Sequence, residues 1–332
     1  MELVERIKCV LRQNDFYKKH CQTRVNDCRY WVRNLNYYVT LYSWKIDKEI
    51  NDHTVYFIID PNISHPGLID RLKAIVGTYY IAKQNGFDFK IIFTHPFLLH
   101  DYLNNASQHW IASFEDLSYS LQNTRLLSYN GGGKVPKLNK NVKQYHVYCY
   151  IGYDILYENR IANGEQIWSE LFEELFEPAP VLKQALQVYQ QLPSNGYIAI
   201  HLRFVNALEQ FEENQFNFLN REQQEQLIQR CLNAIRVIMN RNTSNQIVVF
   251  SDSTVFLNRV RKELPVIVLD GEIAHVSFVA TKEVILKTFA DFYMMSKAEC
   301  IIRILGAEMY VSAFSYYAAV LGRIKREDHW LE

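Results

Sequence analysis

Short apolar runs alternate along the chain with longer segments in which apolar residues recur every three or four positions, and this alternation predicts an α/β protein. The first run, TVYFIID at 54–60, is followed by the loop PNISHPG and by a helical pattern over 68–81. A second run, FKIIFTH, occupies 89–95. A strand, a helix and a strand in this order form a βαβ unit, which implies a parallel sheet with a right-handed crossover.

The second half of the chain repeats the alternation. Helices are predicted over 221–240, 255–263 and 312–322, with another from Lys282, and Pro178 and Pro180 divide an earlier helical stretch in two. The remaining candidate strands lie at 144–151, 196–204, 246–253, 266–271 and 300–305. We therefore expect two domains with parallel sheets that face each other across a cleft, at residues 1–193 and 194–332.

The balance of charge argues against a nucleic-acid partner. Lysine plus arginine and aspartate plus glutamate both number 36, so the chain has no net charge, and no basic stripe is visible. Stable binding to a polyanion usually needs such an excess of basic residues. The composition favours a small molecule or a glycan, held by a few placed cations.

No targeting or membrane-spanning segment is evident in the sequence. The start of the chain mixes charges into apolar positions, and the longest apolar runs are far too short to cross a bilayer. Six cysteines show neither a CxxC pair nor metal-ligand spacing, as is typical of reduced thiols in a cytoplasmic protein. We expect a cytoplasmic protein, and peripheral contact with a membrane stays open.

Polar side chains at the ends of the apolar runs are the candidates for chemistry, because open parallel sheets bind ligands at the carboxyl ends of their strands. In IAIHLRF, His201 and Arg203 end a hydrophobic strand and point to the same side. The planar guanidinium of Arg203 can hold two phosphate oxygens at once. An ion pair between domains would explain this arginine equally well.

Two further loops carry polar residues near helix starts. Asp252 in VVFSDS can accept hydrogen bonds from guanine or from a ribose, or it can serve as an ordinary helix N-cap. Ser312 and Ser315 in VSAFSYY can present hydroxyls and helix N-terminal amides to a phosphate. Helix capping without a ligand is the alternative for these serines.

The loop HPGLIDRL contains Gly67, which permits close approach to the backbone, and Asp70 at a helix start. Several signatures of other chemistry are missing: the chain has no GxGxxG after a strand, no GxSxG and no HExxH, and NGGGK at 130–134 is not a phosphate-binding loop. A DxD motif is also missing. We therefore expect no bound metal ion and no cofactor.

Taken in order, these loops resemble the fucosyltransferase superfamily that includes the α-1,2-, α-1,6- and protein O-fucosyltransferases. HPGLIDRL resembles the family's first-loop glycine and Asn/Asp element, IAIHLRF its HxR strand, and VVFSDS its strand that ends in Asp. FADFYMMSKAECII followed by VSAFSYYAAVLG is similar to the family's carboxyl-terminal pattern and is the most specific block. The resemblance covers roughly 55–93 and 196–322.

The resemblance implies a GT-B fold, in which two Rossmann-like domains face each other and the second holds GDP-fucose. Arg203 would stabilise the departing β-phosphate, while His201 and Asp252 would contact guanosine. The serines at 312 and 315 would bind the diphosphate or the nucleotide, and the donor site would include Phe314 between them.

For the opposite wall, the resemblance implies that Gly67 and Asp70 lie near the fucose and the acceptor, with Asp70 as the predicted general base. Glu173 and Asp154 stay open as alternative bases. The implied reaction is inverting, metal-independent transfer of fucose from GDP-fucose to a glycan hydroxyl. Two alternatives stay open. One is a different nucleotide sugar, and the other is a non-catalytic nucleotide- or glycan-binding protein, which Asn206 in place of an acidic residue of the family favours.

Overall fold

The computed structural model describes residues 32, 34–63, 65, 67–127, 136–148, 161–188, 196–209, 218–273 and 281–332. The chain divides into two compact units. Unit 1 comprises Met1–Pro66, Asp70–His95 and Trp110–Ile161, and unit 2 comprises Gly67–Ile69, Pro96–His109 and Ala162–Glu332. Unit 2 therefore also takes in residues 162–193, and the assignment of acceptor and donor roles to two domains stays a prediction.

Except for the candidate strand over 266–271, the predicted strands and helices occur in the predicted order, with further short strands between them. The strands are β1 (Thr54–Ile59), β2 (Asp88–Phe93), β3 (Leu103–Asn105), β4 (Thr124–Leu126), β5 (Gln144–Tyr148), β6 (Phe176–Pro178), β7 (Tyr197–Leu202), β8 (Gln246–Ser251), β9 (Cys300–Leu305) and β10 (Lys325–Trp330). The helices are α1 (Leu68–Asn85), α2 (Gly164–Leu175), α3 (Pro180–Val188), α4 (Arg221–Arg241), α5 (Thr254–Glu263), α6 (Lys282–Ser296) and α7 (Ala313–Gly322). Residues 34–41 are also helical.

Unit 1 is built on a four-stranded parallel sheet in the order β2-β1-β5-β4. All six residues of β1 are buried, as expected for an inner strand with few polar side chains. Leu72, Ile75 and Tyr79 of α1 are buried at the spacing of one helix face. The predicted βαβ unit is confirmed.

Tyrosines from the amino-terminal segment complete the core of unit 1. Tyr38 and Tyr42 are buried, and the Tyr42 hydroxyl lies 2.7 Å from His146 Nδ1 and 3.0 Å from the Tyr148 hydroxyl. Burial lowers the pKa of His146 to about 3, so its imidazole is neutral. These tyrosines fill a core, whereas Trp44, two residues after Tyr42, is exposed.

Unit 2 contains a second four-stranded parallel sheet, in the order β10-β9-β7-β8. β7 is an inner strand, and all six of its residues are buried. Ile200 and Leu202 of β7 pack in one cluster with Leu232 and Ile235 of α4 and with Val249 of β8. The two parallel sheets confirm the predicted α/β class.

The predicted break near the prolines is also confirmed. α2 ends at Leu175, α3 begins at Pro180, and the short strand β6 between them pairs antiparallel with β3. α2 packs on α7, since the Trp168 and Tyr317 rings lie 4.9 Å apart and Ser169 Oγ donates to the Leu321 carbonyl. This packing explains why α2 belongs to unit 2.

Several elements differ from the prediction, among them the short strands β3, β4 and β6, which the sequence did not indicate. The chain does not end with the predicted last helix but continues into β10, an edge strand whose sequence KREDHW lacks apolar alternation. β10 is held by backbone pairing with β9 and by Arg303, which donates to both oxygens of Asp328 at 2.7 and 2.8 Å. The predicted strand over 266–271 is reduced to a single bridge between Val248 and Ile267.

The ends of α6 and α7 approach each other closely at Gly322. A Cβ atom at this position would lie 1.9 Å from the carbonyl oxygen of Ser296. The backbone of α6 cannot yield as a flexible side chain could, so only glycine fits between the two helix ends.

We expect Gly322→Ala to destabilise the protein by about 1–3 kcal/mol, because the added methyl group forces α6 and α7 apart. Gly67→Ala is the matched control, since a Cβ atom there meets no atom within 4 Å. Urea unfolding followed by circular dichroism measures both variants. Equal free energies of unfolding for the two would contradict the close approach.

Candidate functional site

The inner strand β7 of unit 2 ends in the predicted pair His201 and Arg203. His201 is 7% exposed and lies opposite Phe250 of β8 and Arg303 of β9. Burial, followed by the positive charges of Arg203 and Arg303, lowers the pKa of His201 to about 3. The imidazole is therefore neutral at physiological pH, and it supplies a flat, uncharged surface.

Arg203 forms an ion pair within unit 2. Its Nε lies 3.3 Å from Oδ2 of Asp252, and the arginine side chain is 22% exposed. The carbonyl oxygen of Arg203 accepts a hydrogen bond of 2.9 Å from the amide of Tyr310. The guanidinium is thus held at its inner nitrogen while part of the side chain reaches solvent.

Asp252 follows β8 and binds the backbone of the loop that follows β7. Its Oδ1 accepts from the amide of Phe204 and its Oδ2 from the amide of Val205, both at 2.8 Å. The N-cap of α5 is Ser253, whose side chain accepts from the amide of Phe256. Ser253, and not Asp252, is therefore the residue that caps α5.

The N-terminus of α7 carries the two predicted serines. Ser312 is the N-cap, and its Oγ accepts from the amide of Phe314 at 3.1 Å. Ser315 lies in the first helical turn and is fully buried, and among the described residues its Oγ has no hydrogen-bond partner. A buried hydroxyl without a partner is unusual, because its desolvation is not compensated.

Backbone and ring contacts bring the end of β7 and the start of α7 together. The hydrogen bond from Tyr310 to Arg203 joins the segment before α7 to the end of β7. The ring of Phe314 lies 6.2 Å from that of His201 and 5.5 Å from that of Phe292 on α6. Arg203, His201 and the first turn of α7 therefore form one cluster at the carboxyl edge of the sheet.

The first-loop residues are partly open. Asp70 lies in the first turn of α1, its side chain is 43% exposed, and its Oδ1 is 2.9 Å from Lys73 Nζ. No atom of the described residues lies within 4 Å of a Cβ built on Gly67. The loop at 130–134 and Asp154, another candidate base, lie outside the described residues. Glu173, a further candidate base, is bound by Arg323 of the same unit.

Two contacts of unit 2 escaped the sequence analysis. Glu209 accepts hydrogen bonds from the amides of Thr254 and Val255, at 3.0 and 3.2 Å, although it lies 45 residues before the first of them. Lys287 and Asp291 form a buried pair on α6, with both carboxylate oxygens 2.5 Å from Lys287 Nζ. The sequence could have indicated the pair of Lys287 and Asp291, because residues four apart are neighbours on a helix surface. No local pattern indicates the contact of Glu209.

Within the described ranges, every helix is too short or too polar to span a bilayer. In the same ranges, no group of three or more His, Cys, Asp or Glu residues is arranged to hold a metal ion.

No protein-family model matches the chain, and no curated protein matches it either. Similar solved structures exist. A mutant of Arabidopsis thaliana FUT1 in complex with GDP has a TM-score of 0.54 and 12% identity. The matched region covers 93% of this chain and 78% of the FUT1 chain. The fucosyltransferase NodZ from Bradyrhizobium has a TM-score of 0.55 and 12% identity, over 82% of this chain and 93% of its own.

A NodZ α-1,6-fucosyltransferase structure soaked with GDP-fucose gives a TM-score of 0.54 at 13% identity, with 82% and 93% of the two chains covered. The chain therefore has a fold of the GT-B-like α/β class. More particularly, its fold is similar to that of the fucosyltransferase NodZ. The resemblance inferred from the loop motifs is confirmed at the level of the fold.

The shifted pKa of His201 predicts how stability depends on pH. Between the folded pKa of about 3 and the ordinary value of 6.5, the unfolded chain binds a proton that the folded chain does not. The contribution of His201 is therefore complete above pH 6.5 and is lost as the pH falls towards 3.

In His201→Gln, we expect the free energy of unfolding to fall less steeply as the pH falls. The slope should decrease by about 1 kcal/mol per pH unit in this window. Urea unfolding at a series of pH values measures the slope. Exposed His109→Gln is the control, and it should leave the slope unchanged. A slope in His201→Gln identical to that of the parent would contradict the buried, neutral imidazole.

Proposed function

We propose that the chain is a glycosyltransferase that uses a nucleoside diphosphate sugar, with GDP-fucose as the donor and a glycan hydroxyl as the acceptor. The contact of the Tyr310 amide with the Arg203 carbonyl carries this proposal, because it joins a cation to the N-terminus of α7 at the carboxyl edge of a parallel sheet. Such an arrangement suits a diphosphate. The fold likeness to NodZ, and the GDP and GDP-fucose named for the similar structures, support the choice of donor.

The residues of the cluster have distinct proposed roles. Arg203 neutralises charge on the β-phosphate, and the first turn of α7 supplies the positive end of the helix dipole together with the hydroxyls of Ser312 and Ser315. The unpartnered Ser315 hydroxyl supports this role, because a ligand oxygen would satisfy it. The neutral ring of His201 and the ring of Phe314, 6.2 Å apart, supply uncharged aromatic groups that suit the nucleoside.

The proposed reaction is an inverting transfer. The acceptor hydroxyl attacks the anomeric carbon from the face opposite GDP, the bond to the β-phosphate oxygen breaks, and negative charge grows on that phosphate. Each preorganised donor aimed at such charge is worth about 3 kcal/mol. Asp70 stays the predicted base for the hydroxyl proton, as a part-exposed carboxylate. Independence from a metal ion and a cytoplasmic location also stay predictions from the sequence.

Arg203→Ala is expected to lower transfer about 100- to 1,000-fold while the fold stays intact, because a charge-stabilising group is removed from the leaving phosphate. Steady-state transfer assays and circular dichroism measure the two properties. Arg261→Ala removes a surface arginine that pairs with exposed Asp270, and it serves as the control. Near-normal turnover of folded Arg203→Ala would overturn the mechanism.

Ser315→Ala is expected to act in opposite directions on stability and on binding. Removal of a buried hydroxyl without a partner leaves the unfolding free energy unchanged or raised by up to about 1 kcal/mol, whereas affinity for GDP falls. Thermal unfolding without ligand and isothermal titration with GDP measure the two effects. A large loss of stability would contradict the unpartnered hydroxyl, and unchanged affinity would contradict its role with phosphate.

A panel of nucleotide sugars tests the donor. Only a ligand of the native state raises the unfolding temperature, so GDP-fucose, other GDP-sugars, and UDP- and ADP-linked sugars separate the alternatives. Stabilisation by GDP-fucose without hydrolysis or transfer would favour a non-catalytic binding protein, the alternative that Asn206 raised.

A further inference from the structure

The loop after β7 is held by side chains from two other parts of unit 2, one an acceptor and one a donor. Asp252 accepts from the amides of Phe204 and Val205, at 2.8 Å each. Gln224 of α4 donates to the carbonyl of Ala207 at 3.2 Å. The loop carries Arg203 at its start, so its geometry decides where the guanidinium lies.

Val205 adopts a backbone conformation that β-branched residues rarely take. Its φ is +51°, in the left-handed region, and the residue is buried. Such a conformation persists only where its surroundings enforce it. The carboxylate of Asp252, which receives two consecutive amides across this turn, is the group that enforces it.

A second carboxylate makes the reciprocal contact. Glu209, six residues after Arg203, accepts from the amides of Thr254 and Val255 in the first turn of α5. Asp252 thus reaches from the β8 side to the β7 loop, and Glu209 reaches from the β7 loop to the β8 side. We name Asp252 and Glu209 together the acid clasp.

We infer that the acid clasp positions Arg203 and that Asp252 does not contact the nucleotide base. The inference rests on the proposed function, and it replaces the guanosine contact that the family resemblance implied for Asp252. Both oxygens of Asp252 are engaged by backbone amides, and Oδ2 also faces Arg203 Nε at 3.3 Å. The Asp252 side chain is also only 5% exposed, so it presents almost no surface to a nucleotide base.

The contact of Glu209 with the amides of α5 also affects where a phosphate can bind. Two parallel strands, β8 and β9, lead to helix N-termini at the same edge of the sheet, and either could receive a phosphate. Glu209 fills the first turn of α5 with a carboxylate of the chain itself. The acid clasp therefore directs the diphosphate to α7, where Ser315 has an unpartnered hydroxyl.

Hydrogen exchange tests the clasp without reference to activity. Asp252→Asn is expected to speed amide exchange over 203–207, because an amide side chain cannot accept from both backbone groups. Asp270→Asn, at a side chain that is 97% exposed, is the matched control and should leave exchange unchanged. Unchanged exchange in folded Asp252→Asn would overturn the clasp.

Nucleotide preference and turnover test the positioning role. Asp252→Asn is expected to lower kcat about 100-fold, as displacement of a catalytic group does, and to leave the ratio of GDP to ADP affinity unchanged. Val205→Gly in the same background should recover part of the lost kcat, because glycine takes the left-handed backbone without strain. A selective loss of GDP affinity, or no recovery, would overturn the positioning role.

Glu209→Ala keeps the test decisive if Asp252→Asn does not fold. This variant is expected to speed exchange over 203–207 and to lower kcat with the GDP to ADP ratio unchanged, and parental exchange and kcat would contradict the inference. Failure of the proposed function has a separate signature. The unmodified protein would then bind no GDP, while the exchange experiment would still decide the clasp.

Discussion

A buried carboxylate and two consecutive backbone amides define the geometry of the candidate site. Asp252 needs hydrogen-bond donors because an unpaired charge in the interior is costly, and the turn at Val205 needs an acceptor because it is left-handed and buried. The amides supply the donors that the carboxylate needs, and the carboxylate supplies the acceptor that the turn needs. This contact sets the geometry at the end of β7 and therefore the position of Arg203.

The strand order of the parallel sheet in unit 2 makes that interaction possible. β7 is flanked by β8 and β9, so the loops and helices that follow the three strands meet at one edge. Glu209 occupies the first turn of α5, while the first turn of α7 retains a buried hydroxyl without a partner among the described residues. The two helix N-termini are therefore chemically different, although both follow strands of one sheet.

Much of the architecture could be predicted because apolar periodicity reports burial directly. β1, β7 and β9 were visible as apolar runs, and α2 and α3 were separated by their prolines. β10 was not visible, since an edge strand of mostly charged residues has no apolar face, and it forms because β9 offers its backbone and Arg303. Likewise, Tyr38 and Tyr42 gave no signal that distinguished a core from a sugar-binding surface.

By itself, the sequence determined the α/β class, the order of the main elements, the location of His201, Arg203 and Asp252 at strand ends, and that of the serines at a helix start. Those properties depend on local periodicity and on residue type. Only the tertiary structure decided which of these groups contact one another. Asp252 and Glu209 bind amides about 45 residues away in the chain, and hydrogen bonds of that range depend on strand order and register, which no local pattern encodes.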